Sequence, residues 1–448
     1  MMRSGGAEKL ELREAGLKQE LSVRLLGMIA IGQSIGTGLF LGSGVSVQMA
    51  GPGVIFSYVI GAVITLLVML ALSEMTAACP TAGSFGVYAE HYLGAWAGWV
   101  TRCTYCMAQI IAIGSQIVAV AIYCRYWFPE TPAWIWIFTF SVILLAVNIL
   151  NVGSFGEIEY WFALIKVLAI CALLIFGAAL FLGLGVPRQS LENYTAHGGF
   201  FPRGFAGVWA GVTLAIFSFY GLEAASISSG EAKDPRASVP KALRRIMARL
   251  ALFYVGSVTV LVGIVPWNQA GIQQSPFVRV YEMIGVPGAA GLMNFVVLTA
   301  ALSSLNTNIY TASRMLFSLS RSGQAPEVFG RLDARGIPRY AVLISGAGLA
   351  LAALIYQQYS DTAFIYLMGA ALFGAIFVWL MIFATHITFR GAKGAYFSWA
   401  GLGLLLAVLI TMAFLAEMQV AWLAGVPWLL LLTLAFLLKR NPYPNPGA

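Results

Sequence analysis

Apolar stretches of about 20 residues recur from Leu25 to Leu438 with only short polar breaks between them. No other feature constrains the chain as much. A hydrocarbon core about 30 Å thick is crossed by about 20 helical residues, and backbone polar groups in lipid are satisfied only inside helices or closed barrels. Only 10% of the 448 residues are charged, against about 25% in soluble domains. The chain therefore reads as an all-α polytopic membrane protein with no room for a sizeable soluble domain.

Glycines, prolines and charges mark twelve expected spans, at 25–49, 53–77, 96–124, 133–151, 158–183, 206–229, 243–265, 288–313, 340–356, 362–385, 397–416 and 421–438. The net charge of +8 is topological and calls for no nucleic acid partner. With both termini cytoplasmic, twenty Lys and Arg fall in cytoplasmic segments and four on the other face, and Arg102 and Lys166 fall inside spans. The first 24 residues carry no apolar stretch followed by a small-residue cleavage site, so no removable signal peptide is expected. Cys103 and Cys106, at helical spacing, read as packing residues. His91, His197 and His386 are too far apart to suggest a metal motif, and neither cofactor nor metal is expected.

Two spans are interrupted. Span 1 contains GQSIGTGLF (32–40) and span 6 contains FSFYGLE (217–223). Taken alone, the first fits helix packing, since Gly32 and Gly36, like Gly38 and Gly42, have the spacing that lets helices approach closely. Taken together, they are paired broken helices in equivalent positions of two halves, spans 1–5 and 6–10, which is the sequence signature of a transporter binding site. A break exposes a half-helix N-terminus that attracts a carboxylate, and the preceding carbonyls attract an ammonium group. The two ends together suit an α-amino acid.

Lys166 lies nine residues beyond Glu157, about 14 Å into the membrane at 1.5 Å per residue. It either snorkels or faces the bundle interior as a candidate proton-coupling group. Glu223, directly after the second break, reads equally as a cap on the half-helix or as a proton carrier. The SSLNTN cluster (303–308) lines a cavity or satisfies neighbouring helices, and Arg102, near the start of span 3, is read as snorkelling.

The chain resembles the amino acid–polyamine–organocation superfamily, and within it the bacterial amino acid permeases. The matching stretches are IAIGQSIGTGLFLGSG (29–44), ALSEM (71–75), FGEIEYWFALIKVLAI (155–170), GEAKDPRASVPKA (230–242), the segment 275–304 and SRMLFSLSRSGQAP (313–326). The resemblance implies a LeuT-type fold of twelve transmembrane helices, with a 5+5 inverted repeat (about 25–183 and 206–385) and helices 1 and 6 broken. Residues 1–24 and 439–448 would be cytoplasmic tails, and 386–438 would hold helices 11 and 12.

The resemblance also implies site roles. Gly36, Thr37 and Gly38 would receive the substrate carboxylate, and carbonyls of Ser34, Phe217 and Tyr220 the ammonium group. Gln33, Ile35, Phe219 and Gly221 would line or gate the pocket. Lys166, with Ser303 and Ser304 as neighbours, would couple a proton, together with Glu223. Two positions depart from the family: Gln33 stands where a small residue is common, and Gln116 where many permeases carry an acid.

The expected activity is uptake of a neutral or aromatic amino acid by proton symport across the cell membrane, with obligate exchange as the alternative. A channel lacks support, since there is no repeated filter or acidic ring, and an enzyme lacks a metal cluster or Ser/His pair.

Overall fold

The computed structural model describes residues 22–150, 155–184, 190–231, 235–271 and 273–438. The tails at 1–21 and 439–448, and most of the lysines and arginines that set the expected orientation near them, lie outside these. Among the described residues the chain is helical and has no strand.

In chain order the helices are α1 (Val23–Ser34), α2 (Ser43–Ala50), α3 (Val54–Ala78), α4 (Ser84–Leu93), α5 (Ala95–Cys124), α6 (Ala133–Leu150), α7 (Phe155–Leu182), α8 (Gly204–Phe219), α9 (Ala224–Ile227), α10 (Pro235–Ile264), α11 (Pro276–Ile284), α12 (Ala289–Arg321), α13 (Arg339–Ser345), α14 (Ala347–Gln358), α15 (Ala363–Arg390), α16 (Tyr396–Phe414) and α17 (Gln419–Leu438). Ten stretches are long and apolar enough to cross a membrane. The first, Gly27–Ala78, is α1 to α3 folded back at Gly51-Pro52-Gly53, and Ala133–Ile149 is a shorter apolar helix. The protein is thus a polytopic membrane protein.

Most expected spans match helices within a few residues. Three differ. The seventh begins earlier, at Pro235, the eighth runs on to Arg321, and the ninth is divided at Gly346 into α13 and α14. The eighth outlasts its apolar stretch because α12 is buried along nearly its whole length against α5, so its polar last turns find partners inside the protein.

Inner and outer helices separate by which faces they bury. Most of α5 and α15 is buried, whereas α16 and α17 expose most of their surface. The helix α7 shows the rule within one element. Trp161, Leu168, Ile175 and Leu182, seven residues apart, form an exposed apolar stripe, as a bilayer-facing helix requires. Its opposite stripe, Glu159, Ala163, Lys166, Ile170 and Leu173, is buried. Lys166 is therefore an interior residue and does not snorkel.

The core that positions the site is built from α1, α2, α5, α7, α8 and α12. The helix α1 packs on α7 and α12, α2 on α8, and α5 on α12 and α15.

Candidate functional site

The two interruptions are real breaks, and they touch. After α1 ends at Ser34, Ile35 leaves helical geometry (ψ 83°) and the Gly36 amide turns back to the Ser34 carbonyl (3.0 Å). Helical bonding resumes only with Phe40 N–H to the Gly36 carbonyl (3.1 Å), followed by a wide π turn over Gly38–Gly42. A restarting helix leaves its first amides without intrahelical partners. Here those amides belong to Thr37 and Gly38, at the positive end of the new segment.

In the second break, Tyr220 is extended (φ −61°, ψ 138°) and Gly221 adopts φ +107° before α9 begins at Ala224. That φ is accessible to glycine at little cost and strains any other residue. Each break makes room for the other. A Cβ on Gly38 would stand 2.9 Å from Ser218 Cα and 3.0 Å from the Phe217 carbonyl oxygen, and one on Gly221 would stand 2.6 Å from Gln33 Cγ.

The carbonyls freed at the end of α1 are held from two sides. Ser304 Oγ lies 3.0 Å from the Gly32 carbonyl, 3.2 Å from that of Gln33 and 3.5 Å from that of Ile35, so its single hydroxyl hydrogen is shared among three acceptors. The Lys166 ammonium donates to the Gly32 carbonyl (2.5 Å) and to Ser303 Oγ (2.8 Å). Ser303 in turn donates to Glu159 Oε1. Lys166, Ser303, Ser304 and Glu159 are fully buried.

Glu223 is buried as well, and its Oε2 accepts the Gly221 amide (3.2 Å). That amide belongs to the break itself; Glu223 stands at the N-cap of α9 but its side chain makes no bond to that half-helix, and its Oε1 is buried without a partner. Its neighbours include Trp379 and Tyr105.

Gln33 makes contacts that its sequence position did not suggest. Its Nε2 donates to Asn308 Oδ1 (3.0 Å) and to Gln109 Oε1 (3.3 Å), which joins α1 to α12 and α5. Gln116 lies over the first break, with its Nε2 3.3 Å from the place a Gly36 Cβ would occupy. Gln33 Oε1, Thr37 Oγ1, Gln116 Oε1 and the Tyr220 hydroxyl are buried without a hydrogen-bond partner. Buried polar atoms are nearly always paired, so unpaired ones around two helix ends suit a polar ligand.

The ring of Tyr220 lies 6.4 Å from both Phe217 and Tyr105, measured between centroids. Phe219 is placed elsewhere. Its ring packs 4.7 Å from Tyr254 and 6.4 Å from Tyr58, on the side of α8 away from Tyr220.

The structure corrects the reading of Arg102. It is fully buried and donates to Glu90 (2.5 Å), Gln324 (2.7 Å), Ser322 (2.9 Å) and Ser318 (3.3 Å), tying α4, α5 and the end of α12 together. A long side chain near a helix end reaches for water when no interior acceptor is at hand, and three of these four acceptors come from residues more than 200 positions away. At the same end of the bundle Arg314 pairs with Glu231 (2.8 Å), whose other contact is the Tyr310 hydroxyl (2.8 Å). The SSLNTN cluster mostly serves neighbouring helices: Asn306 accepts from Asn148 and Asn308 from Gln33. Cys106 rests its thiol against the Ala312 carbonyl (3.8 Å).

Glu159 is the site residue that sequence reasoning missed. A signal for it existed: it precedes Lys166 by seven residues, two turns, and so shares its inward face.

An amino acid permease family model matches residues 26–444. The chain belongs to the amino acid permease family. The permease is 38% identical to the aromatic amino acid transport protein AroP of Escherichia coli K12 over 95% of this chain and 96% of that one. It is 42% identical to a gamma-aminobutyric acid permease of Bacillus subtilis over 84% and 81% of the two chains. It is also 36% identical, over 98% of each, to YtnA, an uncharacterized amino acid permease of Bacillus subtilis. This permease is accordingly an amino acid transporter of the membrane, and its relatives are named for transport rather than for catalysis.

Proposed function

We propose that this permease takes up a neutral, bulky or aromatic amino acid together with a proton by alternating access. It would act in the cell membrane with both termini in the cytoplasm. The fold we propose has twelve spans of the LeuT type, with inverted repeats over about 25–183 and 206–385 and two further helices at 386–438.

The observation that supports this reading most is the mutual contact of the two breaks, with Lys166 bonded to a carbonyl of the first. The Thr37 and Gly38 amides, within Gly36-Thr37-Gly38, would receive the carboxylate. The carbonyls of Ser34, Phe217 and Tyr220 would receive the ammonium group, while Gln33, Ile35 and Gly221 close the site from below. Both sets of partners act on the part common to all α-amino acids, so selectivity falls to the side-chain surroundings. There Phe217, Tyr220 and Tyr105 supply aromatic surface. The name of AroP points the same way. Phe219, packed against Tyr254, would act by holding α8 rather than by covering substrate.

Lys166, Ser303, Ser304 and Glu223 would sense the proton. A protonated Lys166 holds α1 to α7 and α12 through a charge-assisted bond, about twice as strong as a neutral one. Loss of that proton would weaken the hold on the first break. At the proposed cytoplasmic end, the pairs Arg102–Glu90 and Arg314–Glu231 would keep the bundle closed. At the other end a cavity of about 410 Å³ lined by Gln48, Asn268, Gln274 and Arg279 would admit substrate.

The test is uptake of a radiolabelled neutral amino acid into proteoliposomes under an inwardly directed proton gradient, competed by each of the twenty amino acids. Accumulation that collapses with the gradient and is competed best by aromatic amino acids is expected. Flux that requires amino acid on the far side would instead identify an obligate exchanger.

A further inference from the structure

We propose that Glu159 is the proton acceptor for Lys166, reached through the hydroxyl of Ser303, and that the coupled proton leaves toward the cytoplasm by this route. The proposal rests on the proton-coupled reading above and adds to it the residue that takes the proton and the direction in which it goes.

The geometry is that of a three-member relay. Lys166 Nζ donates to Ser303 Oγ at 2.8 Å, and the same Oγ donates to Glu159 Oε1. The hydroxyl is used in both senses, accepting from the ammonium and donating to the carboxylate, which is the arrangement a shuttle requires. In one passage the Lys166 N–H bond breaks as an O–H bond forms on Ser303. The original Ser303 O–H bond breaks as an O–H bond forms on Glu159. One proton has moved, the ammonium has become an amine, the carboxylate has become an acid, and no other reactant is needed.

Three further observations favour transfer over a static charge pair. First, Glu159 Oε2 is buried with no hydrogen-bond partner, so the carboxylate has room and reason to take a proton. Second, Glu159 lies two turns before Lys166 on the same face of α7, about 10 Å nearer the end of the helix proposed to face the cytoplasm. Third, room for the carboxylate is made by Gly32, since a Cβ there would strike it. The carbonyl of that same Gly32 holds the Lys166 ammonium. Among the described residues the charged neighbours of the pair are each other, and the groups facing it from α1 and α12 are the Gly32 backbone, Ser303, Asn306 and Thr307.

The consequence for transport is local. When Lys166 gives up its proton, its bond to Gly32 becomes a neutral one, and α1 is released from α7 at the break itself. Protonation of Glu159 and loosening of α1 are then one event.

The experiment uses the full-length protein in proteoliposomes, comparing wild type with Glu159→Gln, Ser303→Ala and Ser303→Thr. Two readouts are taken: acid-driven accumulation, with substrate-driven proton entry followed by an internal pH dye, and gradient-free counterflow. Glu159→Gln and Ser303→Ala are expected to lower acid-driven accumulation by about 10²-fold, the low end of what a positioned proton transfer contributes, with counterflow still measurable. Ser303→Thr, which keeps the hydroxyl, is expected to restore coupling. Accumulation at the wild-type level in both Glu159→Gln and Ser303→Ala overturns the relay while leaving proton coupling intact. Loss in Glu159→Gln alone, with Ser303→Ala fully coupled, also overturns it and makes Glu159 a charge partner. If Glu159→Gln fails to reconstitute, the Ser303→Ala and Ser303→Thr pair decides. A wild type that exchanges but never accumulates under an acid gradient overturns the coupling reading itself.

Discussion

A single methyl group at Gly221 is expected to disable the site, and the structure allows its cost to be worked out. Gly221 sits at φ +107°, a conformation that strains a residue with a Cβ by about 1–3 kcal/mol. The added carbon would stand 2.6 Å from Gln33 Cγ and 3.1 Å from its Cδ. Gln33 is a flexible side chain and moves, but in moving it leaves Asn308 and Gln109. Each lost buried hydrogen bond costs about 0.5–1.5 kcal/mol. The sum is about 2–6 kcal/mol, or roughly 30-fold to 10⁴-fold in an equilibrium constant at about 1.4 kcal/mol per tenfold. The assay is equilibrium binding of a labelled amino acid to purified protein, alongside the thermal unfolding midpoint. Gly221→Ala should lower both. The same substitution in a Gln33→Ala background should cost only the backbone strain, about 1–3 kcal/mol, because the displaced side chain is gone. Wild-type binding by Gly221→Ala, or an equal cost in both backgrounds, refutes the claim that the two breaks are fitted to each other through Gln33 and Gly221.

Three other outcomes are expected. Lys166→Ala should abolish acid-driven accumulation in proteoliposomes while leaving measurable counterflow, and undiminished uphill uptake would remove Lys166 from the coupling role. Arg102→Ala leaves the Glu90 carboxylate without its guanidinium partner and should destabilise by about 3–5 kcal/mol, the usual cost of breaking a buried pair; the unfolding midpoint reads it, and Arg102→Ala with Glu90→Gln should recover part of the loss. Phe217→Ala removes one of the rings beside Tyr220 and should weaken competition by aromatic amino acids more than by alanine, measured as half-inhibiting concentrations against one labelled substrate.

The helical membrane architecture and the two helix breaks were legible in the chain because both are written in local pattern. Twenty-residue apolar runs report helices directly, and a glycine-rich interruption, once paired with a second one five spans later, reports a break in a place where non-helical backbone is sheltered by protein or a cavity. The inward position of Lys166 follows from its place on α7, five residues beyond Trp161 and so off the seven-residue stripe of exposed positions Trp161, Leu168, Ile175 and Leu182. Glu159 occupies that same inward stripe, and a helical period applied to it would have found it. The role of Arg102 was not legible, since its acceptors Ser318, Ser322 and Gln324 are separated from it by 216 to 222 residues. Nor was the side to which Phe219 turns, since Phe217, Phe219 and Tyr220 are adjacent in sequence and diverge only at the end of α8.

The two breaks are held by different means, and this bears on which one moves. The second is secured mainly from within: Glu223 binds the Gly221 amide two residues before it, and Tyr220 N–H bonds back into α8 at 3.1 Å to the Ile216 carbonyl. The first break has internal bonds as well, Ile35 N–H to the Ile31 carbonyl (2.9 Å) and Gly36 N–H to the Ser34 carbonyl (3.0 Å), and is held in addition from outside, by Lys166 of α7 and Ser304 of α12 acting on the carbonyls of Gly32, Gln33 and Ile35. The first break therefore depends on the charge of a side chain on a neighbouring helix, Lys166, and the second on Glu223 of its own segment. On the proposed mechanism a change of protonation acts on α1 first, and α8 and α9 follow through the contact of Gln33 with Gly221 and of Gly38 with Phe217. Glycine at both positions is what keeps that path short: a side chain at Gly38 would press on Ser218 and Phe217, and one at Gly221 on Gln33, and either would push the two segments apart.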